Sequence, residues 1–260
     1  MTSPHIFWTN ENTNTAGPAL KGAACITGSL KIAEMAGMLG FDMVWIEVEH
    51  GGASFSDVED LCRAAEAGGA IPVVRVSNNG RENVLRALEA GGKMIVVPVV
   101  DTADEARELV QNGKFPPLGS RGFNTRSRGL GYGLDGIAKI TETFRRANAE
   151  THLIAQIETR EAVENLEAIC AVEGISGVLV GPGDLSLAYD KPGAFNDPDL
   201  IATICDVMRR TRAAGKHAGI LVAPGPLLTA CREAGCDFYF CAGDINDLGR
   251  IWREVLAQVA

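Results

Sequence analysis

Four short stretches carry side chains that could do chemistry: Trp45-Ile46-Glu47-Val48-Glu49-His50, Pro72-Val73-Val74-Arg75, Gln156-Ile157-Glu158-Thr159-Arg160 and Gly181-Pro182-Gly183-Asp184-Leu185-Ser186. Each begins in a β-forming run, where successive side chains alternate between two faces. If Val44, Ile46 and Val48 face one side, Trp45, Glu47 and Glu49 face the other. Two carboxylates on an otherwise apolar inner face are costly to bury unless paired. Arg75, delivered by the next run, suits bidentate binding of a carboxylate or stabilisation of an oxyanion, and equally neutralisation of Glu47 or Glu49. His50 leaves its run at the end, where an imidazole suits proton transfer; the alternative is a loop cap. The same alternation puts Gln156 and Glu158 together. Glu158 and Asp184 end successive runs, and neighbouring strands lie about 4.8 Å apart. The two could therefore share one hard cation whose other ligands are water and substrate oxygens. The competing assignment makes Asp184 a helix N-cap and Glu158 an ion-pair partner of Arg160. Backbone donors of the Gly181-Pro182-Gly183 turn could hold a phosphate, but Asp184 repels anions, which favours a metal.

The elements that must position these groups alternate regularly. Eight β-rich runs, at 24–27, 44–49, 71–76, 94–97, 153–157, 177–180, 217–222 and 238–240, are separated by helical periodicity at 32–39, 56–67, 81–90, 103–111, 162–170, 198–214, 227–234 and 245–258. Gly40, Gly68, Gly91, Gly215 and Gly235 stand where helix ends often need glycine. Eight strand-helix units in 260 residues predict a (β/α)8 TIM barrel. A doubly wound sheet would normally show G-x-G-x-x-G after its first strand, and Thr27-Gly28-Ser29-Leu30 has no such turn. The chain reads as one domain over 1–260, with an N-terminal extension over 1–20. An arginine-rich loop over 112–135 opens a 112–151 segment too long for a plain connection. In a parallel barrel, catalytic groups gather at the carboxyl ends of the strands. His152 and His217 begin runs and receive no catalytic role; Lys93 and Lys216 precede runs, which argues against a Schiff-base mechanism. His5 falls in the extension, and Ala242-Gly243-Asp244 reads as a helix cap.

Composition narrows the function further. Apolar residues at 46% and charged residues at 22% describe an ordinary globular protein. A net charge of −9 and the absence of any basic cluster larger than Arg121, Arg126 and Arg128 argue against nucleic acid. Seven cysteines without C-x-x-C or zinc-ribbon spacing suggest reduced thiols in a reducing compartment. The first residues lack the pattern of a secretory signal, and no apolar run approaches the ~18 residues of a membrane helix. A cytoplasmic protein without membrane contact is expected.

The four stretches, together with Val97-Pro98, resemble the metal-dependent HpcH/HpaI aldolase family in order from about residue 20 to the end; the Glu-Thr-Arg and Gly-Pro-x-Asp-Leu-Ser pair is fairly specific. The resemblance implies a (β/α)8 barrel assembled as a homo-oligomer, a hexamer or trimer of dimers with an exchanged C-terminal helix. It implies a divalent cation, Mg²⁺ or Mn²⁺ or alternatively Co²⁺, bound by Glu158 and Asp184. Gln156 and Arg75 would contact a 2-oxo acid, the backbone at Gly183 and Asp184 with nearby Ser186 would hold its carboxylate, and His50, paired with Glu47, would relay a proton. The implied reaction is pyruvate enolisation and reversible addition to an aldehyde, the reverse of which cleaves 4-hydroxy-2-oxo acids. Two departures stand out. Glu47 occupies the place of the family's aspartate, and the added methylene displaces its partner by about an ångström, enough to cost ~100-fold in rate. Arg126 and Arg128 depart from the family's loop pattern and suggest either an anionic second substrate or a subunit interface. These departures leave open a citrate-synthase-like condensation of oxaloacetate with an acyl-coenzyme A. A non-catalytic 2-oxo acid binding protein is the third reading.

Overall fold

The computed structural model describes residues 18–259. Its strands are β1 (Leu20–Cys25), β2 (Met43–Glu47), β3 (Ile71–Arg75), β4 (Met94–Val97), β5 (His152–Ile157), β6 (Gly177–Val180), β7 (His217–Leu221) and β8 (Phe238–Gly243). They close in sequence order into a barrel, every adjacent pair parallel. The helices are α1 (Leu30–Met38), α2 (Phe55–Ala67), α3 (Arg81–Ala90), α4 (Ala103–Gly113), α5 (Ile140–Glu150), α6 (Arg160–Glu164), α7 (Leu166–Cys170), α8 (Pro182–Ala188), α9 (Pro198–Ala213), α10 (Pro226–Glu233) and α11 (Asp244–Val259). This is a (β/α)8 TIM barrel. No described helix is long and apolar enough to cross a membrane.

Alternation along the strands creates two apolar layers. Met43, Trp45, Val73, Met94, Val96, Ile154, Leu179, Phe238 and Phe240 fill the barrel interior, while Val44, Ile46, Val74, Ile95, Leu153 and Val178 pack outward against the helices. The interior is crowded enough that a Cβ on Gly219 would lie 2.2 Å from the Phe238 ring.

The differences from the expected elements have local causes. The second strand ends at Glu47, two residues early, because the Glu47 carboxylate accepts the backbone N–H groups of Glu49 and His50 at 2.7 and 3.1 Å and turns the chain. The helix expected at 162–170 breaks at Asn165, whose side chain donates to the Asp101 carbonyl at 2.9 Å. α8 has no counterpart among the expected helices. The 112–151 segment contains α5 and two short 3₁₀ stretches, Arg128–Gly133 and Ile137–Lys139. It is pinned by buried Lys114, whose Nζ donates to the Asn148 carbonyl at 2.7 Å, and by Phe115 stacked on Phe144 at 3.9 Å. Burial pulls the Lys114 ammonium down to about 7. The first strand opens at Leu20, not residue 24. His5 and most of the expected extension lie outside the described residues.

Candidate active site

The carboxyl mouth of the barrel opens on a cavity of about 560 Å³ lined by Trp45, His50, Arg75, Gln156, Gly183 and Asp184, among others. β2 and β3 pair with Glu47 opposite Arg75, and this register builds the first half of the site. Arg75 Nε lies 2.9 Å and Nη2 2.6 Å from Glu47 Oε2, and Trp45 Nε1 donates to the same oxygen at 2.9 Å. The Arg75 guanidinium also stands 5.4 Å from the Trp45 ring centroid. Burial pushes the Glu47 carboxyl up, but Arg75, Trp45 and the His50 N–H outweigh it and hold it below the usual carboxylate range. Arg75 Nη1 reaches Glu49 Oε2 at 2.8 Å.

The second half comes from β5, β6 and α8. Glu158 follows β5 and is buried; its Oε1 accepts the Val99 N–H at 2.9 Å and its Oε2 accepts from Gln156 Nε2. Val99 reaches this position with φ of 51°, an uncommon conformation for a β-branched residue. Gly181 leaves the required space, since a Cβ there would lie 2.5 Å from Glu158 Oε2. Burial raises the Glu158 carboxyl above its usual range, and the charges of Asp184 and Glu49 add to the rise. Asp184 is the third residue of α8, behind the N-cap Gly181. Glu158 does not pair with Arg160, which instead reaches the Ala188 carbonyl and stacks 4.2 Å over Tyr189.

The mouth therefore gathers four carboxylates, Glu47 and Glu49 paired with Arg75, and Glu158 and Asp184 beside them without a cation of their own among the described residues. Such a surplus of negative charge suits a divalent cation. Among the described residues no three His, Cys, Asp or Glu side chains form a ready-made metal cage. Glu158 and Asp184 are the pair at the mouth that could hold a cation together with water and substrate oxygens. The buried Gln156 Oε1 has no hydrogen-bond partner, which leaves an acceptor for a bound water or ligand.

Three expected contacts lie elsewhere. Ser186 is fully buried; its Oγ donates to the Gly183 carbonyl at 2.6 Å and accepts the Gly193 N–H at 3.0 Å, so it ties α8 to the following loop. Arg128 pairs with Glu66 and donates to the Ala90 carbonyl at 3.3 Å, at the C-terminal ends of α2 and α3 and hence at the barrel face opposite the mouth. Arg126 lines an outer groove with Phe55, Glu59 and Arg86. Within one chain neither arginine reaches the cavity. Conversely, Phe195, Asn196 and Asn246 line the mouth without having been singled out; loop and first-turn positions carry no periodicity that could have marked them. Asp244, read as a cap, does more: its carboxylate accepts the backbone N–H groups of Ile26 and Thr27, both at 3.0 Å, and joins the end of β1 to α11.

A closed parallel barrel whose carboxyl mouth holds paired carboxylates, an arginine and an imidazole defines an enzyme site of the TIM-barrel class. The family profile described as HpcH/HpaI aldolase/citrate lyase matches residues 27–242, and the chain belongs to that family. It is 36% identical to a 2-keto-3-deoxy-L-rhamnonate aldolase of Klebsiella pneumoniae over 80% of this chain and 76% of that one. It is 34% identical to a hydroxypyruvate/pyruvate aldolase of Rhizorhabdus wittichii over 94% of this chain and 95% of the relative. The crystal structure of a family member from Burkholderia cenocepacia superposes with a TM-score of 0.87 at 29% identity, covering 96% of this chain and 97% of that one.

Proposed function

We propose that the protein is a divalent-metal-dependent aldolase that enolises a pyruvate-type 2-oxo acid and adds it reversibly to an aldehyde, the reverse reaction cleaving a 4-hydroxy-2-oxo acid. The observation that carries this reading is the buried Glu158 carboxylate, fixed by Val99 and Gln156 in a mouth already rich in negative charge. A cation held by Glu158 and Asp184, Mg²⁺ or Mn²⁺ or alternatively Co²⁺, would polarise the 2-oxo acid and offset the charge that develops as C3 loses its proton. Arg75 supplies a fixed positive group lining the same cavity, held between Glu47 and Glu49 so that it does not have to reorganise as the oxyanion forms. Gln156 offers its free carbonyl oxygen, and Gly183 and Asp184 bring the first turn of α8 to the cavity. Condensation with an acyl-coenzyme A would require cations at the mouth for its phosphates. Within one chain Arg126 and Arg128 both lie away from the mouth, which favours an aldehyde instead.

The test is proton exchange. With Mn²⁺ or Mg²⁺ in D₂O the methyl signal of pyruvate is expected to decay in the presence of the protein and to persist when the metal is chelated. Metal-independent decay, or none, would defeat this reading.

The reading extends to assembly. Of α11, only Asp244 is buried, while Ile251, Trp252, Val255, Leu256 and Val259 stay exposed, Trp252 at 64%. An apolar helix face of this kind marks an interaction site, and a second copy exchanging the same helix, within a hexamer, would cover it. Sedimentation at micromolar concentration should return a multiple of the chain mass. A monomer would contradict it.

A further inference from the structure

The Glu47 carboxylate has no capacity left for the His50 imidazole. Its Oε1 accepts the N–H groups of Glu49 at 2.7 Å and His50 at 3.1 Å and lies 3.2 Å from Arg75 Nε. Its Oε2 accepts from Trp45 Nε1 at 2.9 Å and from Arg75 Nε and Nη2 at 2.9 and 2.6 Å. A carboxylate offers about four lone-pair sites, and these donors already fill them. The side chain is 2% exposed, so it cannot swing outward to meet the histidine without leaving Arg75 and Trp45.

Glu49 is placed differently. Its Oε2 lies 3.9 Å from His50 Nε2 and 2.8 Å from Arg75 Nη1. That oxygen is buried, yet no donor is aligned on it for a hydrogen bond. The imidazole beside it is 68% exposed and stands at the rim of the cavity that holds Arg75 and Asp184. Among the described residues this is the carboxylate oxygen that lies within 4.0 Å of the His50 ring nitrogens.

We infer that Glu49, not Glu47, is the carboxylate partner of His50: a positioning residue that orients the imidazole and holds the proton on it, while Glu47 serves as the buried anchor of Arg75 and of the turn. The inference rests on the proposed enolisation. In that step the C3–H bond of the 2-oxo acid breaks, its electron pair passes into the enolate, and the proton moves to the neutral imidazole of His50. The resulting imidazolium is held by Glu49, exchanges its proton with solvent through the exposed ring, and returns a solvent-derived proton to C3 when the enolate is quenched. The glutamate at position 47 then costs no catalytic alignment, because the pairing function lies two residues further on.

The experiment is metal-dependent proton exchange of pyruvate with wild-type protein and with Glu49→Gln, Glu49→Asp and His50→Asn. Glu49→Gln is expected to lower kcat for exchange by about tenfold to a hundredfold, the scale of a misaligned proton-transfer group, with KM for pyruvate changed less than about twofold, since uniform binding is untouched. Glu49→Asp should recover part of the loss. In the His50→Asn background, Glu49→Gln should add less than about twofold, because residues acting as a unit are not additive. A wild-type rate in Glu49→Gln, or equal losses with and without the histidine, overturns the inference while leaving the aldolase reading intact. If wild-type protein itself exchanges no protons, the aldolase reading fails, and the His50 ring-nitrogen resonances of ¹⁵N-labelled protein without pyruvate decide the pairing. Displacement of those resonances by Glu49→Gln supports it, and unchanged resonances overturn it.

Discussion

Glu158→Gln should separate activity from stability. Replacing one outer-shell partner of a metal ligand typically costs 10–100-fold, so loss of a ligand itself is expected to lower activity by more than about a hundredfold, with a parallel loss of metal affinity measured by calorimetry. Asp184→Asn should behave alike in both respects. The thermal midpoint of the metal-free protein should move the other way for Glu158→Gln. Burial, with Asp184 and Glu49 nearby, raises the Glu158 carboxyl, which means that the ionised form opposes folding at neutral pH. A neutral amide removes that cost. Its oxygen can keep the Val99 N–H, and rotation of the Gln156 amide would turn that residue's unpartnered Oε1 toward the new NH₂. Calorimetric unfolding in chelator should therefore show a midpoint equal to or above that of the wild type. Retained activity and metal affinity would remove Glu158 from the ligand set. A markedly lower midpoint would show that its role is structural.

The separation of these effects bears on what the sequence could reveal. Strand-helix alternation was legible because each buried strand must present apolar side chains on both faces, and the period persists through all eight units. Strand parity correctly placed Trp45 inside the barrel, with Ile46 packed outside. Parity could not tell how Glu47 would spend its hydrogen-bonding capacity. That depends on Arg75 arriving in register from the next strand, and on a turn that the carboxylate itself creates. The Val99 N–H that fixes Glu158 was equally hidden, since a backbone donor leaves no trace in residue type. Arg126 and Arg128 drew attention by their charge and by their departure from the family's loop pattern. Charge does not report direction, and Arg128 finds its acceptors where α2 and α3 end.

Arg75→Ala should be among the most destabilising single substitutions at the mouth, and its cost should depend on pH. Arg75 is the cation that meets both Glu47 and Glu49. Removing one member of a buried ion pair typically costs about 3–5 kcal/mol, because the remaining charge stays buried without compensation. At about 3 °C per kcal/mol for a chain of this size, the midpoint should fall by roughly 9–15 °C at pH 7. Arg75→Lys should recover only part of this, since a point charge cannot reproduce the guanidinium's contacts along Glu47. In wild-type protein the Glu47 carboxyl is held below its ordinary value of 4.5, so its contribution to stability is full above that value and fades as pH falls below it. Without Arg75, burial dominates and the same carboxyl moves up, so protonation relieves the variant as acid is added. The gap between the two proteins should therefore be widest near neutral pH and narrow as the pH falls through 4.5. A gap of constant size from pH 7 to pH 4 would show that Arg75 stabilises the mouth by packing on Trp45 rather than by its charge.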